Sequence, residues 1–245
     1  MFSRSIALLG EESMAQLQCK RVILFGIGGV GSWCAECLIR TGLKHLTIVD
    51  GDNIQASNIN RQLPATQATI GQPKVEALKA RLLEINPEAE IISIGEMYKP
   101  TPSLPEGKEF SFFNIADYDY VIDAIDDVAA KADLILFATR VRGLKIFSSM
   151  GAALRFDPTK VTLGELMDIK GDALAKAVRA RMKRLGVKPS RKIRCVYSTE
   201  QAQRCETRGS LMQVTAVFGC TLASLVIKDI MSGTPNRGST QLITS

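Results

Sequence analysis

The segment KRVILFGIGGVGS, residues 20–32, constrains this chain more than any other. An apolar, β-branched run stops on closely spaced glycines and passes straight into a helical stretch. A continuous apolar run of this length reads as a strand buried on both faces, the habit of parallel sheets. Gly26, Gly28 and Gly31 fit G-x-G-x-x-G between strand and helix, where backbone N–H groups and the helix dipole attract phosphate. Asp50 closes the next apolar run, HLTIVD, where a carboxylate can bond ribose hydroxyls. These features alone fit a nicotinamide dinucleotide and ATP equally well.

The alternation continues downstream. Helices are predicted at 32–41, 73–86 and 129–142, and strands at 45–50, 89–94, 118–125 and 144–149. That pattern predicts an α/β fold with a doubly wound, mainly parallel, Rossmann-like sheet. Beyond Gly151 the pattern changes to a short strand at 160–163, a basic helix at 172–185, a strand near 193–197 and an apolar helix at 211–231. The chain therefore divides into a nucleotide-binding domain over 1–151, a smaller basic C-terminal region over 152–231 and a loose polar tail over 232–245. No role is legible in 99–117.

Charge and cysteine usage narrow the setting. Between Lys170 and Arg194 ten Lys/Arg face Asp172 alone, so a local +9 sits in a chain of net +6 and the rest carries −3. A basic module beside a mildly acidic one points to an anionic partner, nucleic acid first, against the plainer reading of a solvated helix face. The six cysteines form no paired framework and no apolar secretory run follows Met1, so a cytoplasmic protein without disulfides is expected. The apolar run 214–227 is 14 residues long and too short for a bilayer core of about 30 Å. It reads as a buried helix, and no membrane span is expected.

The residues that separate the two nucleotides lie in GDNIQASNINRQ and GQPKVEALKARLLEINP. A nicotinamide site has no need of Arg61 and Lys74, whereas a triphosphate attacked at its α-phosphorus needs cations. Taken singly, each reads as a surface cation. Asp126 and Asp127 follow the predicted strand ending at Ile125, at the carboxyl edge where sheet ligands bind, and one of them could hold Mg²⁺ beside phosphate oxygens.

The ordered set GIGGVGS, IVDGDNI, SNINRQ, GQPKVEAL and VIDAIDD resembles the ubiquitin-activating-enzyme superfamily with its bacterial ThiF, MoeB and HesA relatives. That resemblance implies an enzyme that adenylates a carboxylate with ATP, and so implies ATP as the nucleotide. It further implies that Gly26, Gly28, Gly29 and Gly31 lie against the phosphates, that Asp50 binds ribose, and that Asp52 lies near metal and triphosphate. Asn58, Arg61 and Lys74 would contact the phosphates and Asp126 would hold Mg²⁺. Arg4, in SRSIALLG, matches an arginine that the family's partner subunit lends to the triphosphate, which implies a homodimer with Arg4 acting in trans.

Members that activate ubiquitin-like proteins often carry zinc on two C-x-x-C pairs, and this chain departs from that. Its one such pair, Cys34 and Cys37, lies inside the helix after the glycine loop and reads as packing. The segments GAALRFDPTKVTLGEL and CVYSTE, with the basic helix between them, resemble one branch, the tRNA threonylcarbamoyladenosine dehydratases. This resemblance implies a tRNA substrate, ATP-dependent ring closure through an acyl adenylate, and a role for the 152–231 region in substrate binding or dimerisation. The alternative is an adenylyltransferase acting on the C-terminus of a ubiquitin-like sulfur carrier, and a sulfurtransferase or carrier-protein helper stays open. Cys195 and Cys205, each flanked by arginine, are candidates for a thioester, but ring closure needs none and a structural role is the better reading. His45 and Trp33 read as packing or surface residues.

Overall fold

A computed structural model describes residues 1–99, 114–203, 205 and 209–233. Most of the 99–117 segment and the tail from 234 onward lie outside the described residues. Two short N-terminal helices, α1 (Ser3–Leu9) and α2 (Glu11–Cys19), precede the sheet. Then follow β1 (Arg21–Phe25), α3 (Gly31–Thr41), β2 (His45–Val49), α4 (Lys74–Ile85) and β3 (Glu90–Ile94). The next elements are β4 (Tyr120–Asp123), α5 (Val128–Ala138), β5 (Lys145–Ser149) and β6 (Val161–Glu165). The chain closes with α6 (Ala173–Arg184), β7 (Arg194–Ser198) and α7 (Met212–Gly233).

The seven strands form one sheet in the order β3-β2-β1-β4-β5-β7-β6, parallel throughout except for the antiparallel β6–β7 pair. Chain progression reverses between β1 and β4, so a crevice opens there at the carboxyl edge, the ligand position of open α/β sheets. The expected α/β class is what the structure has. The division placed at 151 falls between β5 and β6, and both strands beyond it join the same sheet.

The apolar run in β1 serves both faces. Val22 and Leu24 join a core with α2, α3, α4 and α7, while Ile23 and Phe25 join a second core with α5 and α6. This is why the strand reads as continuous rather than alternating. In α6, Ala175, Val178 and Met182 face that second core. Lys176, Lys183 and Arg184 are left exposed on the same helix.

By length and composition α7 is a candidate membrane span, yet Val214, Phe218, Leu222, Val226 and Ile230 fill the first core. It packs closely along α3. A Cβ at Gly219 would sit 2.4 Å from the Val30 carbonyl oxygen and 2.9 Å from the Cys34 backbone nitrogen, distances only a glycine tolerates. Gly219→Ala gains about 1 kcal/mol of helix propensity but must push two backbones apart. We expect a net loss of about 1–3 kcal/mol in urea unfolding, and an unchanged midpoint would contradict this packing.

Candidate active site

The loop between β1 and α3 is built by glycine at the two positions that need it. Gly26 has φ +80° and abuts the Ala124 carbonyl after β4, and a Cβ at Gly31 would lie 1.9 Å from the Gly26 carbonyl oxygen. The turn is thereby drawn onto itself at the N-terminus of α3. Ser32 secures it through Oγ, which donates to the Gly28 carbonyl at 2.7 Å.

Asp50 ends β2 beside this loop and is 8% exposed. Its Oδ2 accepts from Ile27 N at 3.0 Å, and Oδ1 accepts from Asp52 N at 3.0 Å. The carboxylate thus ties the β2 end to the glycine loop. Lys74 opens α4 after Pro73 and is 5% exposed, although 22 positions from Asp52. Its backbone N–H donates to the Asp52 carbonyl, while Nζ donates to Asp52 Oδ2 at 2.6 Å and stands 3.7 Å from Asp50 Oδ1. A lysine is seldom buried this far without paired carboxylates.

Arg61 follows a 3₁₀ turn at Ala56–Asn58, where Asn58 Oδ1 accepts from Gln55 N at 3.0 Å. The Arg61 stem lies 3.1 Å from the Cβ position of Gly29, and its carbonyl accepts from Trp33 Nε1 at 3.1 Å. Nη1 donates to the Ser57 carbonyl and to Asn60 Oδ1. Thr215 Oγ1 of α7 reaches the same Gly29 position at 3.3 Å, so α7 walls one side of the loop.

The acidic pair after β4 is divided by the fold. Asp127 caps α5, its Oδ1 accepting from Ala130 N at 2.7 Å, while Asp126 is left exposed on the loop whose Ala124 abuts Gly26. Gly26, Gly28, Gly29, Gly31, Asp50, Asp52, Asn58, Arg61, Lys74 and Asp126 thus share the carboxyl edge around the β1–β4 crevice. Arg4 does not join them within one chain. Its helix α1 packs at the far end of α3, where the Phe2 ring is 3.6 Å from the Gly42 Cβ position. The 11-residue α3 separates that end from the loop by about 16 Å.

Beneath the edge lies a network that sequence reasoning missed. Lys131 of α5 and Asp123 at the end of β4 are both 0% exposed, with Nζ to Oδ2 at 2.7 Å. Nζ also donates to Ser148 Oγ at 3.2 Å and the Ser149 carbonyl at 2.9 Å. Asp123 Oδ1 accepts from Ile125 N, so this pair orients the backbone leading to Asp126. Its one sequence signal was the lysine set in the otherwise apolar start of VAAKADLILFA.

The two segments that resemble the tRNA dehydratases meet in space. The Glu200 carboxylate accepts from Phe156 N and Asp157 N, and Thr199 N donates to the Lys160 carbonyl. Asp172 caps α6 and accepts from Gly151 N and Arg155 Nη2, which starts the basic helix at this same edge. Of the ten basic residues, Arg179 bonds the Leu166 carbonyl and Arg191 bonds the Ala138, Val141 and Leu144 carbonyls, which is structural work. Lys170, Lys176, Lys183, Arg184, Lys188, Lys192 and Arg194 are exposed.

Cys195 is wholly buried and its burial pushes the thiol well above the usual range, which suits packing rather than thioester chemistry. Cys205 is exposed. Among the described residues no group of three or more His, Cys, Asp or Glu could hold a metal ion unaided. His45 Nδ1 is 3.0 Å from Glu90 Oε2 at the start of β2, remote from the crevice.

The model of the ThiF family matches residues 2–244. The tRNA threonylcarbamoyladenosine dehydratase of Bacillus subtilis is 37% identical over 201 residues, covering 81% of this chain and 74% of that protein. That of Haemophilus influenzae is 35% identical, covering 91% and 90%. The crystal structure of the Escherichia coli enzyme TcdA in complex with ATP superposes with a TM-score of 0.83 at 34% identity, covering 94% of this chain and 93% of that one. With that fold, that glycine loop and that paired lysine, the chain belongs to the ThiF family and, within it, to the tRNA threonylcarbamoyladenosine dehydratases.

Proposed function

We propose that this chain uses ATP to dehydrate N6-threonylcarbamoyladenosine in tRNA, activating the threonyl carboxylate as an acyl adenylate. The observation that carries this reading is Lys74, drawn into the crevice and held between Asp52 and Asp50 beside the glycine loop. ATP bound to the Escherichia coli relative supports the same crevice as its nucleotide site.

In the first step a carboxylate oxygen bonds to the α-phosphorus, the bond to the bridging oxygen breaks, and pyrophosphate leaves. Backbone N–H groups of the glycine loop hold phosphate oxygens, Asp50 takes the ribose, and Lys74 and Arg61 stabilise charge as it builds on the phosphates. Asn58 adds a polar contact. Asp126, exposed at the edge while its neighbour is used as a cap, suits Mg²⁺, which takes one or two carboxylates and completes its shell with phosphates and water. When bound there with Asp52 nearby, that ion supplies charge neutralisation on the triphosphate.

In the second step the carbamoyl group of the same nucleoside attacks the activated carbonyl, a ring closes and AMP carries away the oxygen. Both reacting groups belong to one nucleoside, so positioning supplies much of the rate. The exposed lysines and arginines from 170 to 194 are assigned to the tRNA backbone, with sequence-independent affinity that salt weakens. Arg4, remote from its own glycine loop, is assigned to the crevice of a second copy in a cytoplasmic homodimer.

Purified protein with ATP and Mg²⁺ is expected to release AMP and pyrophosphate only with tRNA that carries the threonylcarbamoyl group. Mass spectrometry of that nucleoside should record the loss of one water. Turnover indifferent to tRNA but dependent on a small carrier protein would replace this reading with the sulfur-carrier adenylyltransferase.

A further inference from the structure

Two cysteines without a part in the chemistry above stand face to face. Cys37 lies on the outer side of α3, and Cys220 lies on α7 immediately after Gly219, the residue that lets the helices touch. Their sulfurs are 3.4 Å apart although 183 positions separate them in sequence. A disulfide needs about 2.0 Å, so closure asks the sulfurs to approach by about 1.4 Å, within the reach of side-chain rotation. Cys220 is exposed and Cys37 half-buried, so a small oxidant reaches the first and the second waits behind it.

We propose that Cys220 and Cys37 form a reversible thiol-oxidation site, with Cys220 attacking a peroxide and Cys37 resolving the product as a disulfide that staples α3 to α7. The remaining thiols differ. Cys34 and Cys195 are buried, and burial pushes both thiols up. Cys19 and Cys205 are exposed with no thiol partner among the described residues. The hydrogen bond from the Cys37 thiol lowers the Cys220 thiol to about 7, the direction that favours the attacking thiolate. Cys37 itself is pushed up by the same bond, so it keeps its proton until called on.

The steps balance. The Cys220 thiolate attacks one peroxide oxygen, the O–O bond breaks, and the departing hydroxide takes a proton to become water, leaving a sulfenic acid. The Cys37 sulfur then attacks the Cys220 sulfur, the S–S bond forms, and the sulfenic oxygen leaves as a second water with the proton from Cys37. Two thiols are oxidised and one peroxide is reduced. A dithiol reverses the bond. The staple joins the helix that carries the glycine loop to the helix whose Thr215 touches Gly29.

The intact protein treated with hydrogen peroxide is expected to lose the mass of two hydrogens and to regain it with dithiothreitol. Proteolysis should yield a peptide pair joining Cys37 to Cys220. Oxidation should raise the melting temperature by on the order of 5 °C, because the bond closes a very long loop. Cys220→Ser should lose both the link and the thermal shift, while Cys37→Ser should leave a sulfenic acid at Cys220 that dimedone traps. The proposal is overturned if Cys19 or Cys205 oxidises while Cys37 and Cys220 stay unlinked, or if the bond joins two chains on a non-reducing gel.

Discussion

Lys131→Met is expected to destabilise this protein by about 3–5 kcal/mol, because it removes one partner of an ion pair that has no access to water. The pair sits at 0% exposure, and Asp123 would keep only Ile125 N and Ser148 Oγ as donors. The midpoint of thermal unfolding should fall by about 10 °C for a chain of this size. Adding Asp123→Asn should recover part of the loss, since an uncharged amide no longer has to be buried as an anion. The same lesion reaches the crevice through Ile125, whose N–H the pair orients on the way to Asp126. Urea unfolding of the single and double variants reads the effect. A single variant within 1 kcal/mol of the parent would mean that the pair contributes little, against the usual cost of about 3–5.

Lys74→Met should behave in the opposite manner, costing catalysis while sparing the fold. Its closest partner Asp52 keeps a side chain 53% exposed, so the carboxylate left behind is hydrated rather than stranded. Methionine retains most of the buried stem. Loss of a preorganised cation at a developing phosphate charge lowers the rate by about 100- to 1000-fold. Release of pyrophosphate at saturating ATP and modified tRNA measures the step, with the melting temperature as the control. A rate equal to that of the parent would remove Lys74 from the adenylation chemistry and leave it a structural partner of Asp52.

These two lysines look alike in sequence, each a single cation near the start of an apolar helix, and the difference between them was only half legible. GQPK placed Lys74 in a recognisable order of motifs, so its role could be argued from resemblance alone. Lys131 has no such order around it. Its meaning depends on Asp123 pointing into the same buried space, and on Ser148 and Ser149 arriving from β5 to complete the shell. The acidic pair teaches the same lesson. Asp126 and Asp127 are adjacent in sequence, and only the start of α5 decides that one caps the helix while the other stays exposed.

What the sequence by itself determined was everything carried by local spacing. The strand-glycine-helix unit, the β-α alternation through 149, the basic face of α6 and the apolar character of α7 all follow from periods of two and 3.6 residues and from glycine at a tight turn. What only the tertiary structure decided was every relation across long separations. It extended one sheet past residue 151 by pairing β7 with β5, and it brought Glu200 onto Phe156 and Asp157. It set Arg4 at the wrong end of α3 for its own crevice, and it laid α7 on α3 through Gly219 so that Cys220 meets Cys37. The physical reason is that propensity and periodicity act within a few residues, whereas burial, ion pairing and close backbone approach are settled by where distant segments come to rest.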